Sequence, residues 1–420
     1  METYSPKQYL LIDAASQYGM DKAVYADRLA FGRQILDEVK DNNTDNIEEF
    51  GMLMDSWIEE ADEPEMFAAS LIAIKDTLDG KPSGYTVGHD AASSGPQLLS
   101  CLTRCETGMM NTGAIDTGEV PDLYTLIKDN MGFEASRTEV KKATVPFVYG
   151  SRLAPENVFG PRYQEFINAY GLVVPGAAWA KDALIGCWNT RAYYHEWTAP
   201  DGGVAHIKVI AENDAKGMFQ GRQYTYQYKE NAPVARGKGT RSIGANATHT
   251  YDGYVLRELH RRCNYNPAQI KWQIKVIEAH LAGKLVVADE RDLDKKRHLL
   301  RLQKLALRHN NVSIRAIEFI DTYTLRGCKP QYLEKLLETL KSCLTYQPFK
   351  VRTIHDEFAC NANHIVNMKQ VYNDLLAEAY NSSWLYDVIQ DLSGISHHKL
   401  RPAHDPMVEA AIRDNSYSLN

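Results

Sequence analysis

Apolar residues recur at intervals of three and four through most of this 420-residue chain, the spacing of helices that bury one stripe. YLLIDAASQY, YADRLAFGRQILDEV and MFAASLIAIKDTL predict helices between residues 6 and 80, and DLYTLIKDNM (122–131) and RTEVKKATVPFVYG (137–150) predict two more. Residues 152–190 read as mostly helical with interruptions. QIKWQIKVIEAHLAG, DLDKKRHLLRLQKLALRHN and YLEKLLETLKSCL are charged helices with narrow apolar stripes, so 262–345 reads as a helical block of its own. IVNMKQVYNDLLAEAY is a further amphipathic helix, and 396–420 is irregular apart from MVEAAIRDN.

Period-two alternation is confined to short stretches. One runs from Tyr85 to His89, ends in Asp90, and passes through a small-residue turn into a helix that starts near Pro96. Another follows the turn in WTAPDGGVAHIKVIAEN. A third lies in PFKVRTIHDEFACNAN (348–363), where His355-Asp356 sits at a tight hairpin turn. The fold class this predicts is α+β, mostly helical, with a small antiparallel sheet.

Length favours two or three domains. A net charge of -7 excludes bulk electrostatic coating of nucleic acid and leaves only local basic patches for that purpose. Seven scattered cysteines and no apolar leader point to a reducing cytoplasm, a bacterial host's cytoplasm if the chain is phage-encoded. Cys101 and Cys105 lack a second pair at metal-ligand spacing and read as buried thiols. No run of 18 apolar residues is present.

The candidate chemistry gathers at four places. Arg137, Lys141 and Tyr149 share roughly one helix face, with Lys141 and Tyr149 about 12 Å apart along the axis, close to the reach from a terminal phosphate to its sugar. Basic residues four apart are equally a solvated face. Asp90, at a strand end beside a tight turn, suits a magnesium site, unless it only braces the turn. The stretch 229–253, rich in Gly, Arg and Lys and leading to His249, reads as a loop, lying along a phosphate backbone or simply solvated. His355-Asp356 supplies a second turn-borne carboxylate. Two such aspartates brought together would hold two divalent ions for an in-line phosphoryl displacement. Lys22, in GMDK, reads on its own as an exposed loop residue, and Lys295 to Arg308 form a basic face for nucleic acid or a partner.

DEPEMFAASL, HDAASSGPQLLS, RTEVKKATVPFVYG, WTAPDG, HTYDGYVLR and TIHDEF, in this order, resemble the motifs of the single-subunit phage and mitochondrial RNA polymerases of the polymerase-A superfamily. Among them the chain is most similar to the large catalytic subunit of the two-subunit middle-gene polymerase of certain lytic phages. The resemblance covers most of the chain apart from 262–345. It implies a right-hand palm with helical fingers and a helical insertion, the N-terminal domain and most of the thumb being absent from this chain. The divisions would be a helical leader and first part of the palm at 1–118 (motif A at 85–97), fingers at 119–250 (motif B at 137–150), a return to the palm at 251–261, the insertion at 262–345, the second part of the palm at 346–395 (motif C at 351–360) and a tail at 396–420.

Carried over residue by residue, the resemblance makes Asp90 and Asp356 the ligands of two Mg2+ ions, with the Ala91 carbonyl helping and His355 beside them. Lys22, Arg137 and Lys141 would grip the triphosphate, Tyr149-Gly150 would lie under sugar and base, and His249 would help sense the ribose hydroxyl. The implied partners are a DNA template, the RNA product, NTPs, a second subunit supplying the N-terminal half, and a single-stranded-DNA-binding recruiting factor. His355-Asp356-Glu357 looks more like the related DNA polymerases. Those enzymes, however, place a glutamate where Gly95 stands and an aromatic where Val145 stands, so an open pocket beside the sugar favours ribonucleotides. The chain departs from the family in lacking an Asp-x-x-Gly-Arg element, and the short span from Gly150 to Trp197 leaves no room for a long promoter-reading hairpin. The competing expectations are a polymerase-A-type DNA polymerase and a non-catalytic nucleic-acid-binding scaffold.

Overall fold

The segment before Asp90 forms strand β1 (Val87–Asp90), and its neighbours come from the other end of the chain. The computed structural model describes residues 1–285 and 292–420; positions 286–291, within the predicted 262–345 block, lie outside the described residues. In chain order the other strands are β2 (Tyr194–Thr198), β3 (Val204–Lys208), β4 (Ile210–Phe219), β5 (Arg222–Asn231), β6 (Arg352–Ile354) and β7 (Glu357–Cys360). β1, β7 and β6 make an antiparallel sheet in that order, while β2–β3 and β4–β5 are separate two-stranded ribbons. In the central sheet Asp90 is paired with Glu357 and Val87 with Cys360. The β6–β7 connection is the two-residue turn His355-Asp356, and His355 takes φ +55, as the hairpin turns that match strand twist require.

Helices pack around the sheet and make up most of the fold, mostly-helical α+β as the periodicity predicts. The main core joins helix Pro6–Ala15 (Tyr9, Ile12), β1 (Val87), helix Ser94–Thr103 (Leu98, Leu102) and helix Ile365–Asn381 (Met368, Tyr372, Leu376). A second core is built from Ile270, Ile277, Leu299, Leu302, Leu333, Leu336 and Leu340, on helices Pro267–Leu281, Leu293–His309 and Pro330–Cys343. The helices of the 262–345 block therefore share a core of their own among the described residues.

Two expectations are corrected. Residues 242–253 are not a loop: helix Ser242–Cys263 carries His249 and runs through the predicted divisions at 250 and 261. Its Gly and Ala residues serve close packing, for Gly244 and Ala247 are buried and a Cβ at Gly244 would lie 3.3 Å from Ile185. Composition signalled a loop where small residues are the contact surface. The chain also does have a long hairpin, placed after Trp197 rather than before it. β4 and β5 pair over ten rungs and turn at Gln220-Gly221, both with positive φ. Tyr224, Tyr226 and Tyr228 lie on one face of this ribbon, opposite Gly217, Ala215 and Asn213. A Cβ at Gly217 would sit 2.3 Å from the Tyr224 ring, so glycine there is required for the ring to lie flat.

Asp13 fastens β1 to the first helix. Its carboxylate accepts from the Tyr85 hydroxyl at 2.6 Å and from the Gly88 N–H at 3.4 Å, and it is 2 % exposed. Burial pushes it up to about 6, against the lowering effect of those hydrogen bonds. Because the folded value lies above the unfolded one, this group favours the fold most below about pH 4, and the contribution falls as pH rises towards 6. Asp13→Asn is therefore expected to remove a stability slope of at most about 1.4 kcal/mol per pH unit in that window. Denaturant melts at pH 4 and pH 6 measure it, and an unchanged slope would contradict the assignment.

Candidate active site

The sheet brings two segments more than 260 residues apart into register at one cavity. At the end of β1, the Ala91 N–H donates to the Asp356 carbonyl at 3.2 Å, while Asp90 exchanges two backbone hydrogen bonds with Asn420, at 3.0 and 2.8 Å. Both aspartates line a cavity of about 410 Å³. Ala91, Ser93 and the first residues of helix Ser94–Thr103 (Ser94, Gly95, Pro96) extend that wall, and the lining includes Lys22, Tyr124, Arg137, Lys141, Val145, Val148 and Tyr149.

The helix Arg137–Val148 presents these side chains because its start is fixed. Ser136 and Glu139 form a reciprocal capping box, with the Ser136 N–H donating to Glu139 at 2.8 Å and the Glu139 N–H donating to Ser136 at 3.2 Å. The helix continues through Pro146, Tyr149 closes it, and Gly150 follows at φ +94 with Arg241's carbonyl 3.0 Å from where a Cβ would stand. Val140, Ala143, Thr144 and Phe147 are buried, which leaves Arg137 and Lys141 on the cavity side. Arg137 is held by Asp122 through two hydrogen bonds, at 2.7 and 3.2 Å, and both cations lie over the Tyr124 ring, at 5.4 Å for Arg137 and 5.9 Å for Lys141. A phosphate reaching Arg137 must therefore compete with a bidentate carboxylate.

Negative charge is concentrated around Asp90. Burial, then Asp356 and Glu357, push its carboxyl up to about 6, with Lys22 acting in the other direction. Glu357 itself turns along the sheet: a Cβ on Gly88 would lie 2.4 Å from its Oε1, and Arg352 approaches it at 3.8 Å. Asp252, one turn beyond His249, is also pushed up to about 6 by burial and by Asp356. Tyr149 stacks on His249 with centroids 4.5 Å apart and planes 18° apart. Burial followed by the charges of Asp252 and Asp356 raises its hydroxyl to about 12, so it stays protonated and able to donate. A Cβ on Gly95 would meet Tyr149 Oη and Val148 Cγ1 at 3.4 Å each, which leaves the space beside the tyrosine open.

A family model described as DNA-dependent RNA polymerase matches residues 4–148. That segment belongs to the DNA-dependent RNA polymerase family. The match takes in Lys22, Asp90, Ala91, Gly95, Arg137 and Lys141 and stops at Val148, so Tyr149 and Asp356 join this cavity, and His249 stacks behind Tyr149, by geometry alone. Enzymes of this family are DNA-directed nucleotidyltransferases working on NTPs. No curated protein matches the chain.

Of the polymerase residues expected from sequence, Lys22, Asp90, Ala91, Gly95, Arg137, Lys141, Tyr149 and Asp356 converge on the cavity. His249 reaches it through Tyr149, Gly150 sits behind the helix end, and His355 is an exposed turn residue outside the lining. Three lining residues went unread: Asp122, Tyr124 and Asn420. Asp122 and Tyr124 sit in DLYTLIKDNM, where a signal existed, an acidic cap one segment before the basic helix; Asn420 carried none. Among the described residues no three or more His, Cys, Asp or Glu side chains gather as a metal cluster, and none of the described helices is long and apolar enough to cross a membrane. All seven cysteines are free thiols, Cys101 fully buried.

Proposed function

We propose that this cavity is a nucleotidyl-transfer site in which Asp90 and Asp356 hold two Mg2+ ions and the chain extends RNA from NTPs on a DNA template. The supporting observation is the β1–β7 register: it sets Asp90 beside the His355-Asp356 turn on a cavity shared with Lys22, Arg137 and Lys141.

The residues fit a divalent metal. Magnesium takes few carboxylates and keeps waters and phosphate oxygens, so two aspartates and a backbone carbonyl suffice without a third side chain. Asp90's carboxyl is raised first by burial and then by Asp356 and Glu357, against the opposing effect of Lys22, a balance that a bound cation would relieve. Bound there, the ions would make the RNA 3′-hydroxyl more acidic and offset charge on the leaving pyrophosphate. The protein's share is positioning. Lys141 and Lys22 hold the triphosphate, Arg137 joins as it exchanges Asp122 for phosphate, and the Tyr149 ring, braced by His249, packs beneath the sugar. Gly95 leaves room for a 2′-hydroxyl, to which the protonated Tyr149 donates.

Tyr149→Phe is expected to relax discrimination against deoxyribonucleotides about tenfold or more while leaving ribonucleotide turnover within a few-fold, since only the hydroxyl is lost. Competitive incorporation of NTP and dNTP measures this, and unchanged selectivity would remove Tyr149 from the sugar site. The parent reading is tested by extending an RNA primer annealed to single-stranded DNA. Growth with NTPs and Mg2+ supports it, and growth with dNTPs alone, or none, contradicts it.

A companion chain supplying the N-terminal half, with a recruiting factor for single-stranded promoter DNA, belongs to the same proposal. In its favour, the short helix Ile47–Leu53 exposes Ile47, Met52 and Leu53, an apolar patch of the kind found at interaction surfaces.

A further inference from the structure

Arg28 is 1 % exposed, yet it forms no ion pair among the described residues. A buried guanidinium is costly unless all its N–H groups are used, and here they converge on the short connector that carries Lys22. Nε donates to the Ala23 carbonyl at 2.8 Å and Nη2 to the Asp21 carbonyl at 2.7 Å, so the two carbonyls that bracket Lys22 are held by one planar fork. Nη1 donates to Ser16 Oγ at 3.1 Å, anchoring the fork to the end of the preceding helix. Nη2 also donates to Asn420 Oδ1, whose backbone exchanges hydrogen bonds with Asp90. The plane rests over the Tyr25 ring, 5.2 Å from its centroid.

The connector needs such a clamp. It follows an irregular turn, Ser16–Met20, in which Gly19 adopts φ +128, and its own backbone hydrogen bonding includes one bond from Ala23 to Met20 at 2.9 Å. The Lys22 side chain is 54 % exposed and, among the described residues, its ion pair is with Asp21, at 2.7 Å. Besides the fork, the backbone at 21–23 is held by the Ala23–Met20 bond and by a long one, 3.4 Å, from Asn420 Nδ2 to the Asp21 carbonyl, and Asn420 is itself tied to the fork, so the guanidinium is the group that joins both carbonyls flanking Lys22.

We infer that Arg28 is a positioning residue for nucleotide binding: its guanidinium holds the carbonyls of Asp21 and Ala23 so that Lys22 is presented to the triphosphate. This rests on the assignment of Lys22 as a phosphate-binding residue. Lysine at position 28 keeps the charge but cannot span two carbonyls in one plane. Arg28 thus acts through Lys22 and through no contact of its own with substrate.

The test is a double-mutant cycle on equilibrium binding of a fluorescent nucleoside triphosphate with Mg2+, using the full chain. Lys22→Ala and Arg28→Lys should each weaken binding about tenfold, and the double variant should be within about twofold of either single one, because the second change finds nothing left to lose. Ala23→Gly, which loosens the connector without touching the buried guanidinium, should weaken binding about twofold to threefold and add nothing to Lys22→Ala. A role confined to stability would lower the melting temperature and leave the cycle additive, so multiplicative losses overturn the inference. So does Arg28→Lys binding as wild type, or, where that variant does not fold, Ala23→Gly doing so. Wild-type binding by Lys22→Ala would overturn the phosphate assignment itself, and the inference with it.

Discussion

Asp356→Asn is expected to lower RNA primer extension by a factor of about 10³ or more while leaving the protein folded. The side chain keeps its shape and volume, and what the turn contributes to the sheet comes from backbone, the Ala91 N–H bonded to the Asp356 carbonyl and the Ile354–Glu357 pairing. The loss is thus of charge alone. Stabilising the attacking and leaving oxygens through bound metal is worth several kcal/mol, and about 4 kcal/mol corresponds to that factor. A second readout separates this from unfolding. Asp356 is the first charge, after burial, that raises Asp90, so its neutralisation should let Asp90 fall below about 6 and make the metal-free fold no less stable near neutrality. A variant that kept extension within tenfold of wild type would remove Asp356 from the reacting centre and with it the two-aspartate metal site.

Gly95→Glu is expected to cost the next most. The glycine faces Tyr149 Oη and Val148 Cγ1 at distances a Cβ can occupy, so alanine there should be tolerated with little change. Glutamate sends a carboxylate further into the space left for the 2′-hydroxyl. Ribonucleotide incorporation should drop about a hundredfold relative to deoxyribonucleotide incorporation, the scale on which a shaped pocket rejects a substrate with one extra group. Matched single-turnover measurements with NTP and dNTP on one primed template read the ratio directly. An unaltered ratio would show that the sugar lies elsewhere, and that Gly95 serves only the packing of its helix start against Tyr149 and Val148.

The local elements of this site were legible because each has its own short-range signal. A strand that ends in Asp90 before small residues, a helix carrying Arg137, Lys141 and Tyr149, and a two-residue turn at His355-Asp356 are all decided within a few residues. Their meeting was not decided there; it was inferred from their order, and the sheet register supplies it. What sequence misjudged shares one cause. The first turns of helix Ser242–Cys263 pack through Gly244 and Ala247, and β5 is exposed along its whole length, so neither stretch shows a strong apolar signal of its own. The Arg28 fork was hidden for a related reason. A buried arginine in YADRLAFGRQ has the look of any helix-surface charge until the carbonyls it serves are seen.

The most direct test of a shared divalent site at Asp90 and Asp356 replaces Mg2+ with Fe2+ and maps the backbone cuts made by locally generated hydroxyl radicals. Paired cuts within about two residues of Asp90 and of Asp356, suppressed together by excess Mg2+ and by Asp90→Asn alone, are the expected result. Cutting at one position without the other, or cuts that survive Asp90→Asn at Asp356, would contradict a single metal site formed by both.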